Sequence, residues 1–546
     1  MLLHLASGLR RATRCATVSA GTSDSPARRS PTLTESAPAA VATPPPVAPP
    51  AEGGGGRGGG PETSARDLDR SLIKGIAWTG AMRWGTQALS WASTLVVAHL
   101  LSPTDYGLVA MALVYLGLAQ LVNEFGLGTV IVMRRDLTES QIARLGGLSV
   151  LLGAGFVAIS ALLAGLVARF FGEPIVRWLV IVSSATFLTG SLQVVPRALL
   201  AKDLDFRRLA WVDGTEGIVT TLATLTFALL GLHFWALVLG PIVGRTTSTI
   251  VVAAWRWHRV AWPRDFASIA SAVAFGWHMV VARVAWYLYS NADFAVVGRV
   301  LGKVPLGGYT FGWQISSIPI ERVTALVMGV TGPVFSTVQS DKATLQRYLR
   351  NLTEGLAFIT FPVAIGLALV ADVFVLTLLG EHWRPAIVPL RFLALSAALR
   401  SVTPLLPQII VSTGSSKQNM QFTMVAALVM PFLFWVGARW GTGGVAIAWV
   451  LGYPAFVLPL FLAKVLRITG MTLGDYLRAL SPAAWASLVM AAVVLGVRAA
   501  TPPTWPVGLE LATQSLAGAA TYAAVLFAVH RARMLEFLGL IRSMRG

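Results

Sequence analysis

Fourteen separate stretches of about 20 mostly apolar residues run through this chain, and that is the length an α-helix needs to cross a hydrocarbon core. They fall at 72–101, 106–126, 145–168, 176–198, 209–231, 235–256, 268–300, 306–336, 353–379, 386–412, 419–438, 443–464, 482–500 and 508–530. Inside a bilayer every backbone polar group must pair within its own segment, so such runs fold as a bundle of helices. Charged residues make up 12% of the chain and mean hydropathy is +0.68, against about 25% charged in soluble domains. The fold class expected is an all-α integral membrane protein. Connections are short, and none has room for a soluble domain. Residues 1–65 are rich in Pro, Ala, Ser and Gly and end in GGGGRGGGPETSA. That composition cannot bury a core; the segment reads as a disordered cytoplasmic tail or a start codon assigned too early.

The net charge of +18 suggests nucleic acid in a soluble protein, and its distribution argues otherwise. With the N-terminus inside, 24 of the 43 Lys and Arg fall on inner connections and eight on outer ones. Six more lie in the distal tail and five inside the spans. This bias recurs loop by loop, as expected for basic residues held on the cytoplasmic side. It implies cytoplasmic N- and C-termini, and it leaves no single basic stripe for nucleic acid. Tryptophans 178, 235, 255, 257, 262, 383, 440 and 505 flank span ends, as in an interfacial belt.

A repeat at a spacing of 200 residues organises the spans. Without a gap, 83–107 and 283–307 share Arg83/Arg283, Ser90/Ser290, Ala92/Ala292, Val96/Val296, Val97/Val297, Leu101/Leu301 and Gly107/Gly307. Apolar bias does not account for the arginine and glycine pairs. Spans 1 and 7 start on the same side, so the expectation is two parallel six-helix bundles, 72–256 and 268–464. A pseudo-two-fold axis along the membrane normal relates them, and 482–530 adds two helices. Many transporters hold substrate between two such halves. In LLSPTDYG (100–107), Pro103 and Gly107 mark the outer turn, and Ser102 and Asp105 are positioned to cap the next helix.

Five arginines sit inside spans: Arg83, Arg245, Arg283, Arg322 and Arg400. Each costs about 2.5 kcal/mol or more at the bilayer centre, so such residues normally face a wet cavity or a partner. Arg83 has the further option of snorkelling toward the headgroups near Lys74. The intramembrane acids are Glu124, Asp213, Glu216, Asp293 and Glu321. Glu124, Asp213, Glu216 and Asp293 are candidates for ion coupling, and Asp293 is equally suited to pair with Arg283 or Arg299. A net positive cavity suits an anionic substrate, because guanidinium forks bind phosphate oxygens two at a time. The only cysteine is Cys15, which excludes an intrachain disulfide and a Cys metal site. The chain has no Walker A loop, no Asp-x-Asp pair in the first outer loop and no His/Cys cluster. Neither a cofactor, a metal nor enzymatic activity is expected.

Six motifs in order resemble the polysaccharide transporter family of Wzx-type flippases in the MOP exporter superfamily, and most of all its colanic-acid exporter (WzxC-like) branch. They are LLSPTDYG (100–107), GLGTVIVMRRDLT (126–138), RALLAKDLDFRRLA (197–210), GLHFWALVLGPIVGR (231–245), NADFAVVGRVLGKVPLGGYTFGWQISSIPIERV (291–323) and GEHWRPAIVPLRFLALS (380–396). The resemblance covers about 72–467. It implies translocation of undecaprenyl-diphosphate-linked oligosaccharide across the bacterial inner membrane, for exopolysaccharide or lipopolysaccharide synthesis. Its partners would be membrane lipids and the polysaccharide polymerase and chain-length machinery. The family's cationic cavity would map onto the five arginines. A lipid II-type flippase and a multidrug antiporter of the same superfamily are the alternatives, although an antiporter for cations would want an acidic cavity. A membrane glycosyltransferase or polymerase would need a large outer loop with catalytic groups, which this chain lacks.

Overall fold

A computed structural model describes residues 93–124, 127–133, 137–262, 270–502 and 504–529. All belong to one compact unit, Gly75–Phe537; the other unit, Met1–Lys74 with Leu538–Gly546, lies outside them. Among the described residues there is no strand. The helices are α1 (93–100), α2 (Pro103–Glu124), α3 (Leu127–Met133), α4 (Glu139–Phe171), α5 (Ile175–Ser183), α6 (Ala185–Lys202), α7 (Phe206–Leu229) and α8 (Phe234–Trp255). After them come α9 (Ala270–Val300), α10 (Lys303–Thr337), α11 (Lys342–Leu369), α12 (Ala371–Leu378), α13 (Ile387–Val402), α14 (Leu405–Ser412) and α15 (Ser416–Gly437). The last are α16 (Gly441–Ile447), a π-helical stretch (Ala448–Val457), α17 (Leu458–Thr469), α18 (Leu473–Ala500) and α19 (Val507–Val529).

Ten described segments are long and apolar enough to cross a membrane. They cover eleven of the fourteen runs, because Ser416–Thr469 contains two. Two more runs form the charge-bearing helices α7 and α9. The first run lies outside the described residues except for α1, and so does Arg83. Large apolar side chains point outward along these helices, with Leu162, Leu428 and Leu516 each 70% exposed or more. A lipid-facing surface has this character.

Glycines set how closely the helices approach. A Cβ on Gly107 would stand 1.9 Å from the Lys303 carbonyl oxygen, and one on Gly307 would stand 1.7 Å from that of Pro103. The two glycines of the repeat thus pack reciprocally, each against the first residue of the other's helix, where α2 crosses α10. The α7–α8 hairpin uses the same device. Gly240 and Gly244, a small-xxx-small pair, lie so close to Thr224 and Thr220 that a Cβ would fall 1.9 Å from either hydroxyl oxygen. Helix α2 also packs on α9, where the Tyr287 hydroxyl donates to the Val114 carbonyl at 3.1 Å. The last two helices dock through α11: Tyr522 donates to the Phe358 carbonyl at 2.8 Å, and Arg498 reaches Asp372 on α12 at 3.2 Å.

The LLSPTDYG turn caps its helix as its residues require. Asp105 accepts from the Ser102 N–H at 2.9 Å and its own N–H reaches the Ser102 hydroxyl at 3.3 Å. Its second oxygen accepts from the Phe234 N–H at 3.1 Å, tying the start of α8 to the start of α2. Three apolar runs are broken where the sequence reads as continuous: 176–198 at Ser184, 353–379 at Val370 and 386–412 at Thr403–Pro404. Proline at 404 removes a helical donor. Trp383 departs from the interfacial belt. It is fully buried, and its indole N–H donates to the Ala98 carbonyl at 2.7 Å. Rings of Tyr106 and Phe311 pack against it.

Candidate functional site

Close approach of α7 and α8 brings Glu216, one turn before Thr220, beside Arg245, the residue after Gly244. Arg245 Nη1 lies 3.3 Å from Glu216 Oε1, and the Ser248 hydroxyl donates to Glu216 Oε2 at 3.0 Å. Helix α6 completes the group. Its Arg197 follows Pro196, pairs with Asp213 through Nη2 and lies 3.7 Å from Glu216 through Nη1. Gln193, one turn earlier, accepts from Arg197 at 3.3 Å and donates to Ser248 at 2.6 Å and Thr249 at 2.8 Å. A side chain on Gly190 would stand 2.9 Å from Arg245 Nη2, so only glycine leaves that guanidinium its place.

These residues line a cavity of about 980 Å³ whose wall also includes Gln120, Asn123, Thr129 and Arg283. Asp213, Glu216, Gly217 and Thr220 follow one another at i, i+3, i+4 and i+7, one stripe of α7 turned into the cavity. Among the described lining residues, three guanidinium groups and two carboxylates share the cavity. Arg283 also lines a second cavity of about 740 Å³, with Trp286, Tyr289, Tyr453, Phe461 and the prolines 404 and 407. Its polar lining comes from Thr403, Ser416, Asn419 and Thr423. The Asn419 amide oxygen is buried with no donor among the described residues. One cavity is therefore charged and polar, the other aromatic and uncharged but for Arg283, and that arginine belongs to both.

The other candidates lie elsewhere. Arg322 is exposed on α10 and lines neither cavity, and Glu124 closes α2. Arg400 on α13 lines neither as well. Its guanidinium carbon sits 3.9 Å from the Trp313 ring centre, Nη1 donates to the Ser317 hydroxyl at 3.2 Å, and Nε and Nη2 are buried without an acceptor among the described residues. Asp293 is wholly buried. Its partners are neither Arg283 nor Arg299: it accepts from the Tyr309 hydroxyl at 2.7 Å, the Trp449 indole at 2.8 Å and the Phe294 N–H at 3.0 Å. Helix α9 turns Asp293 toward α10 and the π-helical stretch, and both neutral donors come from there. Sequence alone does not mark Arg197 as intramembrane charge, because it stands five residues before the end of α6, where a basic residue reads as cytoplasmic loop charge. Its spacing of 16 from Asp213 across a hairpin was the available signal.

The family described as "Polysaccharide biosynthesis protein" matches residues 96–388, and the chain belongs to it. Relatives include the lipopolysaccharide biosynthesis protein WzxC of Escherichia coli K12, 25% identical over 391 residues, with 70% of this chain and 79% of that protein covered. The succinoglycan biosynthesis transport protein ExoT of Rhizobium meliloti is 25% identical over 60% of this chain and 67% of its own. The teichuronic acid biosynthesis protein TuaB of Bacillus subtilis is 22% identical over 61% of this chain and 69% of its own. Among solved structures, the lipid II flippase MurJ in an inward closed conformation superposes with TM-score 0.69 at 14% identity, covering 84% of this chain and 99% of its own. An inward-facing MATE multidrug transporter of the MOP superfamily follows at 0.55 and 14%, over 70% and 95%. These two share the fold.

Proposed function

We propose that the chain is a flippase that carries a diphosphate-linked oligosaccharide on an undecaprenyl lipid across the bacterial cytoplasmic membrane, for exopolysaccharide or lipopolysaccharide synthesis. The observation that carries this reading is Arg283, standing where a charged polar cavity meets an aromatic one in a member of a polysaccharide biosynthesis family. A lipid-linked glycan has the same two parts. The diphosphate needs guanidinium donors in place of water, and the charged cavity offers Arg197, Arg245 and Arg283. Sugar rings stack on aromatic faces while their hydroxyls seek amides and hydroxyls, and the second cavity offers Trp286, Tyr289, Tyr453 and the Asn419 amide oxygen, which has no donor among the described residues.

On this reading the chain has fourteen spans: two six-helix bundles, 72–256 and 268–464, and two helices within 482–530. The reciprocal packing of Gly107 and Gly307 supports a pseudo-two-fold axis between the bundles, which would open alternately inward and outward. Both termini face the cytoplasm, and the polymerase and chain-length machinery receive the product outside. A lipid II flippase is the second reading, favoured by the MurJ superposition. The relatives named for polysaccharide biosynthesis favour the first, and so does a cavity with more cations than acids over a cation antiporter. The chain acts as a transporter, not an enzyme, in line with relatives and neighbours named for transport and flipping.

The test is complementation of a bacterium that lacks its own exopolysaccharide flippase. The wild-type chain restores surface polysaccharide; Arg283→Ala does not, and Arg283→Lys, which keeps charge and loses the planar fork, restores part. Membrane protein level stays normal, and lipid-linked oligosaccharide accumulates on the cytoplasmic leaflet. Full export from Arg283→Ala would place substrate elsewhere. Rescue of a lipid II flippase mutant, but not of this strain, would favour the second reading.

A further inference from the structure

We infer that Asp213 and Glu216 are exchangeable counter-anions: they hold Arg197 and Arg245 until the substrate's phosphates displace them, and they reclaim the arginines on release. The inference rests on the flippase reading and assigns Arg197 as a phosphate-binding residue beside Arg245.

The geometry carries it. An arginine inside the membrane needs a counter-charge whether or not substrate is present. A carrier that must return without substrate has to supply that charge itself. Here Asp213 and Glu216 take both guanidinium groups that face them, and Ser248 steadies Glu216 at 3.0 Å. The pairs are not sealed. Arg197, Arg245, Asp213 and Glu216 keep between 25% and 40% of their side-chain surface accessible, and all four line the same cavity. Arg245 keeps 30% of its side-chain surface accessible, so an incoming oxygen can reach its guanidinium from the cavity. A diphosphate diester carries two negative charges, the same as the two carboxylates it would replace on these guanidinium groups. The exchange keeps the local charge balanced, and the carboxylates weaken binding enough for product to leave.

A structural ion-pair network and a displaceable one predict opposite signs when a carboxylate is neutralised. In the first, Glu216→Gln loosens the site and weakens anion binding. In the second, it removes a competitor and tightens it. The experiment is equilibrium binding of radiolabelled undecaprenyl diphosphate to the full chain in nanodiscs, with undecaprenol as the uncharged control and inorganic pyrophosphate as competitor. Glu216→Gln and Asp213→Asn should each bind about tenfold tighter than wild type, which is about 1.4 kcal/mol, and Arg197→Ala at least tenfold weaker. In cells the carboxylate variants should export several-fold less polysaccharide at normal protein level, because release becomes slow. Ser248→Ala removes the hydrogen bond that steadies Glu216 and no charge; it should tighten binding by less than either carboxylate variant, and weaker binding would count against the exchange if one of them fails to fold. Wild-type binding with unchanged or weaker affinity in both carboxylate variants would overturn the exchange and leave the flippase reading standing. A wild-type chain that binds undecaprenyl diphosphate no better than undecaprenol would overturn both.

Discussion

The α6–α7–α8 corner and the α9–α10–α13 corner each bury charge inside a helical bundle, and they do it by opposite means. In the first, arginines meet carboxylates directly, in a cavity of about 980 Å³, and stay partly accessible. In the second, Asp293 is wholly buried among neutral donors from Tyr309, Trp449 and a backbone amide, and Arg400 lies over the Trp313 ring at 3.9 Å. Trp313 and Trp449 are themselves in contact at 5.6 Å, so the aromatic rings form one wall between the acid and the base. The lesson concerns intramembrane charge in general. Its presence marks a candidate, but accessibility decides the role. Charge facing a cavity can be handed to a substrate, and charge enclosed by aromatic donors fixes the packing of its own helices.

The strongest way to break this contrast is to remove one arginine from each corner. Arg245→Ala should reduce surface polysaccharide to background in the complementation strain while membrane protein level stays within about twofold of wild type. Arg400→Ala should do the reverse. It loses a cation–π contact of about 2 kcal/mol and a charged hydrogen bond of about 1.5 kcal/mol or more, so protein level and detergent melting temperature fall. Export per molecule that remains should stay near wild type. Normal protein level with no export from Arg400→Ala would place that residue in the transport path and dissolve the distinction.

A smaller effect sharpens the first corner alone. In Gly190→Ala the new methyl would meet Arg245 Nη2 at 2.9 Å. That atom ends a flexible side chain, so the fold yields easily and the guanidinium moves. Export should fall several-fold, protein level should not change, and Gly190→Ser should behave alike. Unchanged export would mean that the position of Arg245 matters less than its charge.

Much of this was legible from the residues. The apolar runs locate the helices, the 200-residue repeat pairs Gly107 with Gly307, and LLSPTDYG marks the turn that Asp105 caps. Arg245, Arg283, Asp213 and Glu216 were all candidates, and the cavity of about 980 Å³ gathers them. What the sequence hides is which distant residues meet. Asp293 and Trp449 lie 156 positions apart, and no local pattern links an acid on one helix to an indole on another. Arg197 was hidden for a different reason. Near a helix end, a cavity arginine and a loop arginine have the same neighbours in sequence, and only the fold separates them. Trp383 shows the same ambiguity in reverse, a tryptophan at a span end that the α1 backbone covers.

The smallest effect expected is at Asp293, the most buried acid among the described residues. Asp293→Asn keeps a carbonyl oxygen that can still accept from the Tyr309 hydroxyl and the Trp449 indole, the two side-chain donors that hold the acid. What changes is that one oxygen becomes an amide N–H₂ and a charge disappears. Placing Oδ1 of the amide toward both side-chain donors leaves the N–H₂ facing the Phe294 N–H, two donors head to head, which exchanges one hydrogen bond of about 1 kcal/mol for a mild repulsion. Against this, the substitution removes the expense of holding a buried ion. The two effects oppose, so the melting temperature should shift by only a few degrees and export should stay within about twofold of wild type. Asp293→Leu, which strands the Tyr309 hydroxyl and the Trp449 indole together, should lose several kcal/mol by the same reasoning. A loss of export in Asp293→Asn at normal protein level and melting temperature would show that the charge itself is needed. That would move Asp293 from the packing of α9 to the transport cycle, in the role of an ion-coupling carboxylate.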